Sequence, residues 1–256
     1  MKYLPVALAL FVFLILQGCA RPTLYCIGDS TMATYNVAAL SKSQQGENYP
    51  LRGWGMYLGE QFTDKLAIRN KAISGRSSRS FRGEGHWAKI LDSLKKGDYV
   101  LVQFGHNDQK KEDSLRYTEP RLEFGASLSQ YIREIRNKGA HPILATSIAR
   151  RNFDEAGRLV DTHTAYTLTV LRVAAAEGIP VLDMNLRTMQ LLDSTGVEGS
   201  KAFFLYIPAG KFGKLPDGLK DNTHLNEYGG KTVAAIAASE LRSSKSKLKK
   251  YLKRAR

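Results

Sequence analysis

Four short stretches of this chain carry residue types suited to acyl transfer. The first is Gly28-Asp29-Ser30, where a short apolar run ends abruptly in a hydroxyl. Gly, Asp and Ser are ordinary turn residues, so one reading is a polar turn. The other is a nucleophile held at the carboxyl end of a first strand. A hydroxyl nucleophile needs a base, a group that orients the base, and donors for the developing oxyanion. Of the five histidines, His224 in KDNTHLNEYGG has an acid, Asp221, three residues upstream. That carboxylate is close enough to reach Nδ1 and fix the tautomer. Spacing alone leaves Asp-x-x-His equally readable as an acidic helix start followed by a histidine. His141 precedes a proline at a strand start and reads as structural. His86 and His163 read as surface or cleft-wall residues, and His106 abuts Asn107 as a cleft-lining candidate. Three donors are available for an oxyanion. Gly75 in ISGRSSRS lacks the Cβ that would keep its N–H from a ligand. Asn107 in FGHND offers a side-chain amide, and Ser30 offers its own N–H. Each of these, taken alone, also fits a turn.

The elements that would position these residues are legible in the hydrophobic pattern. Strands are predicted near 23–28, 66–70, 98–104, 142–148 and 180–184. Helical segments are predicted near 54–63, 84–96, 122–138, 164–178 and 186–193, with a last helix from about residue 227. Gly139 and Gly178 follow their helices as C-caps. The third strand, DYVLVQF, is nearly all apolar, as expected for a strand buried on both faces. Strand–helix alternation implies a parallel sheet covered on both sides by helices. In such sheets the cleft lies beyond the carboxyl ends of the strands. Ser30, Gly75 and Asn107 follow the first, second and third strands and converge on that rim. The Gly/Pro-rich stretch 196–220 reads as a long loop folded over the sheet edge near the site.

In chain order, Gly28-Asp29-Ser30, Gly75, Gly105-His106-Asn107-Asp108 and Asp221-Asn222-Thr223-His224 resemble the four blocks of the SGNH (GDSL) hydrolases. The resemblance implies a flavodoxin-like three-layer α/β/α sandwich with a central five-stranded parallel sheet. It also implies a Ser30–His224–Asp221 triad and an oxyanion hole formed by the Ser30 and Gly75 N–H groups and the Asn107 amide. GDSTMA, RGWG, NKAISGRSSRSF, VQFGHND, TSIARRNFDEAGRLVDTH and DNTHLNEYGG are similar to the rhamnogalacturonan acetylesterases, secreted bacterial enzymes that deacetylate pectin. Met56 and Ser74 depart from that pattern, where glutamine and glycine are expected. The implied activity is removal of O-acetyl groups from acetylated rhamnogalacturonan through an acetyl-enzyme. Three alternatives stay open: another acetylated ester such as acetylxylan or a lipid, acetyl transfer in place of hydrolysis, and a noncatalytic basic surface protein that binds polyanions.

Arg76, Arg79 and Arg82 cluster after the second strand, and Arg150 and Arg151 follow the fourth. Arginine pairs with carboxylates bidentately, so Arg76, Arg79, Arg150 and Arg151, with His106, are the expected contacts to an acidic substrate. The competing reading pairs these arginines with local acids such as Glu84 or Asp154. Trp54, Trp87 and Tyr35 are either a sugar-stacking face or core residues.

Composition bounds the rest. A chain of 256 residues with 43% hydrophobic and 24% charged residues fits one globular domain. Lys2 and the 13-residue apolar run Leu4–Leu16, followed by QGCARPT, form a secretory leader over 1–20. It is either a lipoprotein signal, with Cys19 as the lipidated residue, or a plain signal-peptidase site. The protein is therefore expected to be exported, to the periplasm, cell surface or medium. The organisation expected is leader 1–20, catalytic domain 21–242 and basic tail 243–256. Residues 242–256 hold eight of the positive charges that bring the chain to +14. They read as a solvated, fraying helix end or as a segment drawn to an anionic surface. Cys26 reads as a buried strand residue. No Cys/His cluster and no H-E-x-x-H motif is present, so no metal is expected. No cofactor, nucleic acid or partner chain is expected either. There is no G-x-S-x-G elbow, GEGHWA does not directly follow a predicted strand, and GGKT lacks the upstream glycine of a phosphate loop. An imidazole takes a proton only when neutral, so activity is expected to fall as pH drops through roughly 6–7. A rate profile flat from about pH 4 to 9 contradicts a histidine base.

Overall fold

Continuous burial along the central strands, with successive side chains on opposite faces, builds the sheet. The computed structural model describes residues 21–254; the leader, with Cys19, lies outside the described residues. Strand β1 (Thr23–Gly28) sends Leu24 and Cys26 into one apolar cluster and Tyr25 and Ile27 into another. Beside it lie β2 (Ala67–Asn70), β3 (Tyr99–Gln103), β4 (His141–Ala145) and β5 (Val181–Leu182). The order is β2-β1-β3-β4-β5, and every pairing is parallel. All five residues of β3 are buried, as the apolar run requires of a central strand covered on both faces.

The helices are α1 (Val37–Ser43), α2 (Ser78–Gly83), α3 (His86–Ser93), α4 (Gly125–Asn137), α5 (Thr164–Glu177), α6 (Met184–Gly199, with a break at Gly196) and α7 (Glu227–Ser243). Helices α2 to α5 cover one face of the sheet through Phe81, Trp87, Ile135 and Val170. Helices α6 and α7 cover the other through Met184, Leu192, Val233 and Leu241. The result is the three-layer α/β/α sandwich with a five-stranded parallel sheet.

Four expectations change. The predicted helix 54–63 is two 3-10 turns, Trp54–Met56 and Leu58–Gln61. Gly55 and Gly59 weaken a continuous helix there. The predicted helix 84–96 is the shorter α3, which starts after Gly85 at φ 75°, with α2 before it. The stretch 196–220 is no simple loop. It contains β6 (Phe204–Ile207), which pairs antiparallel with β7 (Leu219–Leu225).

The basic end is also not a solvated tail. Lys247–Tyr251 form a 3-10 turn that buries Leu248 to 1% exposure in the α6/α7 cluster. Leu252 bridges to Phe62, and Tyr251 O accepts from Thr63 N at 2.8 Å. Leu248 and Leu252, four apart among lysines, anchor the segment, so the boundary expected at 242/243 is not a boundary of the folded core. Leu248→Ala should lower unfolding stability by about 2–5 kcal/mol in urea titration, and truncation after Ser243 should lower it further. An unchanged midpoint for the truncation would place the tail outside the core.

Candidate active site

Ser30 stands at the carboxyl end of β1. Asp29 O accepts from Met32 N and Ala33 N at 3.2 and 3.1 Å, a helical turn that carries the chain away and leaves Ser30 on the rim. Tyr35 Oη donates to Ser30 O at 2.8 Å. Beneath the serine runs a buried polar ladder. Asp29 Oδ1 accepts from Thr31 N and Thr31 Oγ1 at 2.9 and 2.8 Å. Thr31 Oγ1 accepts from Gln103 Nε2 at 3.1 Å, and Gln103 Oε1 accepts from Trp54 Nε1 at 2.9 Å. Trp54 and Trp87 are core residues, at 0% and 2% exposure, and form no sugar platform.

His224 reaches the serine from β7. Neighbouring residues Phe204 and Leu205 of β6 pair with Leu225 and Asp221, so Asn222, Thr223 and His224 bulge out of the ladder. Asp221 Oδ1 accepts from Thr223 N and His224 N at 2.7 and 2.9 Å, which tightens the bulge. Asp221 Oδ2 lies 2.7 Å from His224 Nδ1, and His224 Nε2 lies 3.0 Å from Ser30 Oγ. An ionised carboxylate only accepts, so Nδ1 carries the proton and Nε2 presents its lone pair to the hydroxyl. Burial alone would raise the Asp221 carboxyl, but the bonds from the His224 ring, His224 N and Thr223 N outweigh it and hold the group below the usual carboxylate range.

The donor side is tied to the same rim. Gly75 occupies φ 79°, a turn open to glycine. Asn107 Nδ2 donates one hydrogen to Arg76 O at 3.1 Å, which fixes the amide beside the Gly75 turn and leaves its second hydrogen free for a ligand. Asp108 binds this loop to its neighbours. Its Oδ1 accepts from Ser78 N at 3.0 Å, Ser78 Oγ at 2.6 Å and Thr118 Oγ1 at 3.0 Å. Burial pushes its carboxyl up to about 7 against those donors. Gly105, at φ 143°, lets β3 turn under Ser147, whose hydroxyl occupies the space a Cβ would take.

The arginines expected to contact substrate are mostly engaged elsewhere. Arg76 pairs with Glu84 at 2.7 Å, and Arg79 with Glu123 at 2.7 Å, so both follow the local-acid reading. Arg151 is 8% exposed and faces inward. Its guanidinium donates to Ser200 Oγ, Tyr206 Oη and Asn222 Oδ1, each at 3.0 Å, and to Val197 O; its own N–H donates to Asn222 O at 2.9 Å. It clamps the bulge that carries His224, a role its sequence context did not signal. His106 is 3% exposed, its Nδ1 lies 3.5 Å from Asp29 Oδ2, and its ring lies 4.3 Å from the buried ring of His163. Both histidines are interior wall, not surface. Burial lowers the pKa of each. Burial works against ionised Asp29 too, but His106 and the Thr31 donors hold its carboxyl below the usual range. Arg150 stays beside the site half-buried, without a carboxylate partner among the described residues. It donates to His106 O at 3.3 Å and lies in the field of both Asp29 and Asp221.

These features agree with comparison to known proteins. A model of the GDSL-like lipase/acylhydrolase family matches residues 26–231. The chain is 37% identical over 203 residues to rhamnogalacturonan acetylesterase RhgT of Bacillus subtilis, a match that covers 79% of this chain and 86% of that protein. It is 32% identical over 219 residues to probable rhamnogalacturonan acetylesterase YesY of the same organism, covering 86% and 92%. Among solved structures, YxiM of Bacillus subtilis superposes with a TM-score of 0.69 at 27% identity over 87% of this chain, which spans 56% of the YxiM chain.

Two outcomes test this geometry. A carboxyl raised in the folded state takes up a proton on folding, so its stabilising contribution is present below about pH 4 and is lost as pH rises through about 7. Urea unfolding of Asp108→Asn and the parent should therefore differ in pH slope between about 4 and 7, the parent losing more stability as pH rises. Parallel profiles would contradict the raised carboxyl. Arg151→Ala should lower kcat by tenfold or more, as an order of magnitude, because the His224 bulge loses its clamp.

Proposed function

The chain belongs to the GDSL-like lipase/acylhydrolase family and is a carboxylic ester hydrolase, and we propose that it removes O-acetyl groups from acetylated rhamnogalacturonan. The observation that carries the mechanism is the unbroken hydrogen-bond line from Ser30 Oγ through the His224 ring to Asp221, with links of 3.0 and 2.7 Å.

Ser30 Oγ attacks the acetyl carbonyl carbon as its proton passes to His224 Nε2. Asp221 holds the ring in the required tautomer and stabilises the imidazolium that forms. The carbonyl oxygen becomes an oxyanion and accepts hydrogen bonds from Ser30 N–H, Gly75 N–H and Asn107 Nδ2. Asn107 Nδ2 is already anchored to Arg76 O, so little reorganisation of that donor is needed as charge develops. The imidazolium then protonates the departing sugar oxygen. Water, deprotonated by His224, attacks the acetyl-enzyme; the Ser30 Oγ–acyl bond breaks, the imidazolium returns its proton to Oγ, and acetate leaves.

The substrate reading draws on two relatives that carry the rhamnogalacturonan acetylesterase name. Arg150 supports it, since a half-buried guanidinium beside the site suits a uronate carboxylate close to the scissile ester. We place the enzyme outside the cytoplasm on the strength of its 1–20 leader pattern, which suits either lipid attachment at Cys19 or simple cleavage.

Acetate release from acetylated rhamnogalacturonan, acetylated xylan and a small acetyl ester tests both parts. The first should be the best polymeric substrate, and a preference for xylan contradicts the substrate reading. Ser30→Ala should abolish release from all three while leaving unfolding unchanged. Asp221→Asn should lower kcat by about 10³–10⁴-fold, the cost of losing the orienting carboxylate in such triads. Persistent turnover by Ser30→Ala rules out that nucleophile.

A further inference from the structure

A parallel sheet has two distinct ends. One carries Ser30, Gly75 and Asn107. At the other the chain enters every strand, and exposed cations collect there. Arg21 precedes β1, Lys65 precedes β2, Lys95 and Lys96 precede β3, and Lys138 precedes β4. The docked carboxyl-terminal segment adds to the same end, because Tyr251 O is bonded to Thr63 N and the Tyr251 ring lies 6.3 Å from Tyr99 at the start of β3. It brings exposed Lys245, Lys247, Lys249, Lys250 and Lys253. Lys245 and Lys247 border a depression with His141 and Pro180, where the chain enters β4 and β5. Arg21, Lys95 and Lys96 border another with Thr23 and Arg69.

None of these cations takes part in an ion pair among the described residues. Asp98, an acid at this end, is buried and accepts from Thr23 N and Lys95 N at 2.8 and 3.0 Å. On the catalytic side several cations are paired. Arg76, Arg79, Arg116, Arg158 and Lys201 are each paired with a nearby carboxylate. This end of the sheet, opposite the site, therefore carries ten exposed cations, nine of them lysine, without a carboxylate partner among the described residues. Lysines are hydrated point charges on flexible stems. They suit a diffuse anionic surface better than the bidentate reading of a single carboxylate.

We propose that this face docks on an anionic phospholipid surface and holds the cleft pointing away from it. The choice of lipid over an acidic polymer rests on where the chain enters. Arg21 lies on this face, donating to Asp64 O at 2.8 Å, and the 20 residues before it carry the Leu4–Leu16 apolar run and Cys19. One lipophilic attachment combined with a polybasic patch gives stable membrane binding where either alone is marginal. In this orientation the cleft remains open to a soluble polymer. The inference concerns binding, so it stands or falls separately from the hydrolytic reading.

The test is co-sedimentation of the full-length protein with vesicles of phosphatidylcholine alone or with about 30 mol% phosphatidylglycerol. Binding to the anionic vesicles should be tighter by roughly tenfold or more, and should weaken as NaCl rises from about 50 to 500 mM. The variant Lys95→Gln/Lys96→Gln/Lys249→Gln/Lys250→Gln should lose roughly tenfold or more of that binding. Its hydrolysis of a small soluble acetyl ester should be unchanged, which also reports folding. Lys65→Gln/Lys138→Gln removes two cations from the entries to β2 and β4 and should show a smaller loss in the same direction. Equal binding to both vesicles, or parental binding by both variants, overturns the proposal. Polygalacturonate binding as tight as vesicle binding, with the same lysine dependence, overturns it in favour of an acidic-polymer surface.

Discussion

The hydrogen bond between Ser30 Oγ and His224 Nε2 joins residues 194 positions apart, and the rest of the structure serves to keep its two ends within 3.0 Å. One end is fixed by burial. β1 lies between β2 and β3, and its turn rests on Asp29, Thr31, Gln103 and Trp54, all nearly inaccessible. The other end is fixed by a bulge in a two-stranded ladder, a less rigid device. It relies on Asp221 tightening the bulge from within and on Arg151 gripping Asn222 from outside. A guanidinium with five donors in a planar fork can hold several elements at once, and here it joins α6, the 3-10 turn after it, β6 and β7.

Three carboxylates near the rim have different electrostatic situations, and their surroundings account for it. Asp221 and Asp29 are ionised acceptors whose donors overcome burial. Asp108 is buried without a facing cation, and its carboxyl is driven up. Two of the three act on loop geometry, with Asp29 shaping the Ser30 turn and Asp108 joining Ser78 to Thr118. Asp221 acts on the imidazole directly. The interior histidines 106 and 163 sit behind this layer, with burial lowering the pKa of both.

Much of this was legible in the amino-acid pattern, and the failures have physical reasons. The parallel strands were readable because YVLV and LYCI are apolar on both faces, and the rim positions followed from where those runs stop. The β6–β7 hairpin was not readable. β7 is LKDNTHL, whose residues favour turns, and it is a strand only because β6 and Arg52 pair with it. The carboxyl-terminal segment is not legible in the same way, because eight charges hide two leucines and burial depends on where Leu248 and Leu252 land rather than on mean composition. Arg151 next to Arg150 shows the same limit. Adjacent and identical in sequence, one faces the interior and the other the site, across a tight turn in which Asn152 N donates to Arg150 O at 3.0 Å.

Catalysis turns on whether the contact with His224 makes Ser30 unusually nucleophilic. An organophosphorus fluoridate that phosphorylates activated serines, followed by peptide mass mapping, reads this directly. The label should appear on the peptide containing Ser30, stoichiometrically and rapidly, and labelling of a folded His224→Ala protein should slow by orders of magnitude, about 10³-fold or more. Modification of a different serine, or equal labelling rates with and without the imidazole, would contradict the mechanism.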